Sequence, residues 1–182
     1  MSQAVSEQNR SITIQPGTDP VDQLHLEHFI PYRLSVLSNL VSRRIADAYE
    51  REFGLSIPQW RIMAVLARYP DLSAAEVAER SAMDKVAVSR AVSTLLASRR
   101  LMRSYDKEDR RRSMLRLSPV GRAVYKRVAP MALKYEKALL DSLSAADRRT
   151  LGRLIDVLTG RAKTLAGVPL EHVLAGSAAR SA

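Results

Sequence analysis

The chain has 182 residues, 46% of them hydrophobic, enough for one domain with a sizeable core or for one domain with an added helical arm. It contains no cysteine, which excludes disulfides, thiolate metal sites and cysteine-based redox sensing. A formal net charge of +10 favours a polyanionic partner or an acidic membrane surface, and with no signal-like segment and no run of about 20 apolar residues the expected location is cytoplasmic, without a membrane partner.

Residues 1–23 mix Ser, Gln, Thr and Gly with Pro16 and Pro20 and read as a flexible arm. From Leu26 to Phe53, apolar residues at Leu34, Leu37, Leu40, Val41, Ile45, Ala48 and Tyr49 follow helical spacing. Pro31 falls in the first turn, where its missing donor costs little, and Gly54 ends the pattern. Ser56-Ile57-Pro58-Gln59 resembles a helix start, and Trp60, Met63, Ala64, Leu66 and Ala67 give the next helix an apolar face up to Tyr69-Pro70. Ser73-Ala74-Ala75-Glu76 has capping-box spacing, with Leu72 and Val77 placed as the staple; that helix runs to about Arg80. Asp84 is the predicted N-cap of the following helix, with Val88, Val92, Leu95 and Leu96 as its buried stripe and Lys85, Ser89, Arg90 and Ser93 facing out.

Residues 106–121 are the most informative stretch. Asp109 sits against three consecutive arginines, Arg110, Arg111 and Arg112; Met114 and, out of phase, Leu115 and Leu117 alternate after them, and Ser118-Pro119 signals a helix start. This is the pattern of a short β-hairpin with a cationic tip. Two short helices joined by a tight turn over 73–99, followed by such a hairpin, make a winged helix-turn-helix, and arginines crowd a hairpin tip when a phosphate-rich partner lies across it. The charge is placed accordingly: residues 85–116 carry ten cations against three anions, and residues 1–57 five against seven.

Ser118 starts a helix reaching about Leu143, interrupted or kinked near Pro130. Ser144-Ala145-Ala146-Asp147 caps a last long helix with Leu151, Leu154, Ile155, Leu158, Ala162 and Leu165 at spacings of three and four. From Gly167 the composition predicts a frayed tail. The terminal helices present more apolar surface than a small winged domain can cover, which a twofold homodimer resolves by interleaving them. It would also place two recognition helices about 34 Å apart in successive major grooves. The predicted fold class is mainly α with a small β-hairpin wing: an arm over 1–23, an N-terminal dimerisation helix over 24–57, a winged helix-turn-helix DNA-binding region over 58–118, C-terminal dimerisation helices over 119–166 and a tail over 167–182.

Ala82 stands in the turn where Gly is often found, and the alternative for 73–99 alone is an αα-corner in an all-α protein. On the recognition helix, Arg90 can read guanine bidentately, Lys85, Ser89 and Ser93 can hold bases or phosphates, and Val86 and Ala87 can meet thymine methyls. At the hairpin tip the spacing of Asp109 and Arg111 lets the carboxylate aim the guanidinium, so that an arginine enters a minor groove; a solvated charge cluster is the plainer alternative. No Gly-rich phosphate loop, metal triad or nucleophile–base constellation is present, so an enzyme is not expected. A sequence-independent, chromatin-type nucleic-acid-binding protein is the competing class, against which the concentration of cations on one helix and one hairpin argues.

The order of elements, Leu55-Ser56-Ile57-Pro58-Gln59-Trp60, the Ser89-Arg90 pair, the Asp106-Lys107-Glu108-Asp109-Arg110-Arg111 wing and Leu117-Ser118-Pro119-Val120-Gly121 together resemble the MarR family of bacterial transcriptional regulators over roughly residues 26–165. The resemblance implies a homodimer on an inverted-repeat operator in double-stranded DNA, often a repressor released by a small, aromatic and anionic effector. It implies that Ser89 and Arg90 lie in the major groove and that Arg111, oriented by Asp109, enters the minor groove; Arg112 is an addition that could reach a further phosphate. His28, Tyr32, Arg33, Trp60 and Arg61 are the candidate effector residues, aromatic walls with a cation for a carboxylate, and Arg43 and Tyr49 are of suitable type; the plainer roles are core packing for Trp60 and a salt bridge or phosphate contact for Arg43 or Arg61. His25, His28 and His172 are too few to close a metal site, so neither metal nor cofactor is expected.

Overall fold

The computed structural model describes residues 24–105 and 113–178. Among these the elements run α1 (Ile30–Phe53), α2 (Ile57–Arg68), α3 (Ala74–Ser81), α4 (Lys85–Ala97), β1 (Leu101–Tyr105), β2 (Ser113–Leu117), α5 (Pro119–Leu140), α6 (Ala145–Ala166) and α7 (Leu170–Ala178). The chain divides into two compact units, Met1–Val41 and Ser42–Ala182, with the division falling inside α1.

The helices of the second unit begin where local chemistry dictates. Ser56 and Gln59 exchange backbone and side-chain bonds in a full capping box at the start of α2, and Ser73 and Glu76 do the same for α3. Asp84 accepts from the Ala87 amide at 2.8 Å, Ser118 from the Gly121 amide at 2.9 Å and Ser144 from the Asp147 amide at 3.1 Å. Each bond satisfies an amide that the first turn leaves without a partner.

Two helices end in left-handed residues that are not glycine. After α3, Ala82 has φ 52°, with Met83 N–H bonded to the Ala78 carbonyl and Ala82 N–H to that of Glu79. After α4, Arg99 has φ 55°, Arg100 N–H bonds to Leu95 and Arg99 N–H to Leu96. Both are Schellman closures, which stop a helix within two residues and turn the chain sharply. They make the helix-turn-helix turn and the step from α4 into the hairpin.

β1 and β2 pair antiparallel, with Leu101 opposite Leu117, Arg103 opposite Leu115 and Tyr105 opposite Ser113. Leu101, Leu115 and Leu117 turn inward and join Ile62, Met63, Leu66, Val77, Val88, Val92, Leu95 and Val128 in one core. Leu72 adds a short antiparallel bridge, exchanging both backbone bonds with Leu115. β2 is thereby paired on both edges at Leu115.

Two expectations change. α5 is not interrupted at Pro130; Val128, fully buried, and Met131, packed on the core, lie on either side of the proline. That packing outweighs the roughly 3 kcal/mol of an interior proline. Residues 170–178, expected to fray, form α7: the Pro169 carbonyl accepts from His172 and Val173, and Glu171 places negative charge in the first turn. α6, by contrast, buries none of its 22 residues. No helix among the described residues is long and apolar enough to cross a membrane.

Candidate nucleic-acid interface

The buried stripe of α4 is Val88, Ala91, Val92 and Leu95, which turns Lys85, Ser89, Arg90 and Ser93 outward as their spacing predicts. Val86, 60% exposed, shares that outer face, and so does Thr94, which was not singled out from the sequence. The Thr94 hydroxyl donates back to the Arg90 carbonyl at 3.1 Å. Arg90 and Thr94 line a groove with Ala87, Ala91 and the first turn of α2, namely Ser56, Pro58 and Gln59. Ser56 and Gln59 read in the sequence only as a helix start. Thr94 was detectable, since it lies one turn after Arg90 on the same face.

Below the hairpin tip, Arg103 and Tyr105 are exposed on β1. Asp109, Arg110, Arg111 and Arg112 lie outside the described residues. Arg116 on β2 turns back to Asp71 as a close ion pair at 2.7 Å, rather than an aligned hydrogen bond. Arg100 donates to the Phe53 carbonyl. Two of the cations counted along 85–116 are therefore committed to the protein itself, while Lys85, Arg90, Arg99 and Arg103 remain exposed.

His28 sits in the turn before α1, Tyr32 and Arg33 in its first turn, all exposed. Trp60 and Arg61 line a cavity of about 110 Å³ with Ser42, Ile45, Tyr49 and Ile57. Trp60 lies between Tyr49 and Tyr125, with ring centroids 5.7 Å away on each side. The Arg61 guanidinium donates to the Ser42 hydroxyl at 3.2 Å. Burial pushes the Tyr49 hydroxyl up to about 12, with Arg61 lowering it and Glu50 raising it, so the phenol stays a proton donor at neutral pH. No group of three or more His, Cys, Asp or Glu side chains able to hold a metal occurs among the described residues.

Residues 53–112, from the end of α1 through the reader to the wing, match the model of the MarR family. The chain is also similar to the crystal structure of a MarR/EmrR family transcriptional regulator from Acinetobacter sp. ADP1, with 26% identity, 78% of this chain and 99% of the other covered, and a TM-score of 0.72. The chain carries a MarR-family match over its reader and has the fold of MarR regulators. It is thus a winged-helix, DNA-binding transcriptional regulator. It is also 22% identical to the HTH-type transcriptional regulator TcaR of Staphylococcus aureus (strain Newman), over 77% of this chain and 95% of TcaR. The structure of Bordetella bronchiseptica BpsR, whose DNA binding is described as regulated by 6-hydroxynicotinic acid, shares the fold at 21% identity and a TM-score of 0.66, over 75% of this chain and 97% of that one.

Proposed function

We propose that this chain is a homodimeric MarR-family repressor that reads an inverted-repeat operator with α4 and is released by a small aromatic carboxylate. The observation that carries the DNA reading is the outer face of α4, where Lys85, Ser89, Arg90 and Ser93 are exposed over a fully apolar buried stripe. Arg90 is assigned a guanine, Lys85, Ser89 and Ser93 bases or phosphates, and Arg110, Arg111 and Arg112 the minor groove and flanking phosphates, with Asp109 orienting Arg111. Dimerisation is supported by α6. Leu151, Leu154, Ile155, Val157 and Leu158 are all exposed in the single chain, and a helix without buried side chains has little stability in water.

Selection from a random duplex pool tests this. The expected product is an inverted repeat with half-site centres about 34 Å apart, bound by a species of dimer mass in light scattering. Arg90→Ala should cost about 1–3 kcal/mol and relax preference at one position in each half-site. Equal losses on operator and random duplex would reassign Arg90 to phosphate, and selection of no preferred sequence would favour a sequence-independent binder.

The ligand reading rests on the cavity at Trp60 and Arg61; His28, Tyr32 and Arg33 stay candidates for the same effector. Arg61 offers a guanidinium that a carboxylate can take from Ser42, and Trp60 with Tyr49 offers aromatic faces. Trp60 is the single tryptophan of the chain, so its fluorescence reports occupancy directly. Titration with 6-hydroxynicotinate should give a saturable change that Arg61→Ala weakens by about 10- to 100-fold. A signal indifferent to Arg61 would move the ligand elsewhere.

A further inference from the structure

The last turn of α1 leaves carbonyl groups without donors from its own helix. Gly54, at φ +59°, returns its N–H to the Glu50 carbonyl at 2.8 Å. The Phe53 carbonyl is taken by the guanidinium of Arg100, which comes from the far end of the reader. A cation is favoured there because the C-terminal end of a helix carries partial negative charge. Beside it, Glu52 pairs with Arg127 of α5, whose guanidinium also lies 5.1 Å from the Phe53 ring centroid.

The backbone of Arg100 is equally committed. Its N–H closes the Schellman turn of α4 on Leu95 at 2.8 Å, and its carbonyl accepts from Ser118 N–H at 3.0 Å. The Ser118 hydroxyl donates to the neighbouring Arg99 carbonyl at 2.6 Å. One residue thus joins four segments: the end of the recognition helix, the start of β1, the start of α5 and, through its side chain, the end of α1. The same end of α1 walls the cavity, since Ser42, Ile45 and Tyr49 line it and Phe53 follows Tyr49 by one helical turn.

We infer that Arg100 is a positioning residue for operator recognition, which ties the α1 wall of the cavity to the pose of the recognition helix and the base of the wing. This rests on the reading that α4 enters DNA and that the cavity takes the effector. Arg100 is half-buried with its guanidinium on Phe53, so its charge serves the protein's own geometry rather than a phosphate. A shift of α1 on filling the cavity then reaches α4 through one hydrogen bond and one backbone junction.

Two variants of the full chain decide it: Arg100→Gln, which removes the charge and shortens the donor, and Arg100→Lys, which keeps the charge and one donor. In hydrogen exchange without DNA, Arg100→Gln should speed the amides of both 52–55 and 98–101 while α3 keeps its protection, with Arg100→Lys restoring part of both. On the operator selected by the wild type, Arg100→Gln should bind about 2- to 30-fold more weakly, with a scrambled duplex changed by less than about twofold and the salt slope unaltered. Equal losses on both duplexes with a shallower slope would make Arg100 a phosphate contact, and unchanged operator affinity would make it merely structural; either overturns the inference. Exchange unaltered at 52–55 overturns it independently of any DNA. A wild type that selects no operator instead overturns the operator reading, and the positioning role with it, while the exchange arm still decides whether Arg100 ties the two segments.

Discussion

Operator affinity is expected to fall by roughly 10³–10⁵ between 50 and 200 mM salt. Each phosphate neutralised by a Lys or Arg releases condensed counterions, so the slope of the log–log plot counts the cations that touch the backbone. Lys85 and Arg90 on α4, Arg99 in the turn after it and Arg103 on β1 are exposed in each chain, and the proposed interface adds Arg110, Arg111 and Arg112. Two chains offer ample cations for the ~6–10 phosphate contacts that such a fall requires. Arg100 and Arg116 are left out of that supply, because Phe53 and Asp71 already hold them. Fluorescence anisotropy on the selected operator over this salt range measures the slope. A nearly flat plot would mean that the exposed arginines do not lie on the backbone, and the interface as described would fail.

Gly121→Ala should be the most damaging alanine substitution among the described glycines. An ideal Cβ at Gly121 would stand 2.0 Å from the Arg100 carbonyl oxygen and 2.9 Å from its carbon. These are backbone atoms, so no rotamer change relieves the overlap, and the carbonyl cannot move without releasing Ser118 N–H. The first turn of α5 must then withdraw from the junction between α4 and β1. A loss of about 3 kcal/mol is expected, at the upper end for overpacking, which at this chain length corresponds to about 6–12 °C in the melting temperature. Thermal unfolding by circular dichroism checks it. Because the displaced junction carries the wing, operator binding well below the transition should weaken too. A melting temperature within about 2 °C of wild type would show that α5 does not approach Arg100 so closely.

Much of this architecture was legible in the sequence because its signals are local. A Ser or Asp three residues before an amide it can cap states a helix start on its own, and the caps at Ser56, Ser73, Asp84, Ser118 and Ser144 all occur. Periodicity likewise sorted α4 into a buried stripe and a cationic face, since the side a residue faces follows from its spacing. What a given cation does was not legible. Arg90, Arg100 and Arg116 look alike in a composition, yet one is exposed, one closes the end of α1 across 47 residues and one pairs with Asp71.

The same division holds for the small residues and the helix ends. The sequence placed Ala82 where a glycine is common, but only the fold shows that it takes the left-handed conformation itself, held there by two backbone bonds. Pro130 reads as a break until Val128 and Met131 are seen packed on either side of it. Gly121 looks like any residue of a first helical turn until Arg100 is brought against it. Local propensity and spacing thus determined which elements form and which faces they bury. Contacts between residues far apart in the chain, which no window of neighbouring residues contains, decided which charges remain free for DNA and which hold the reader together.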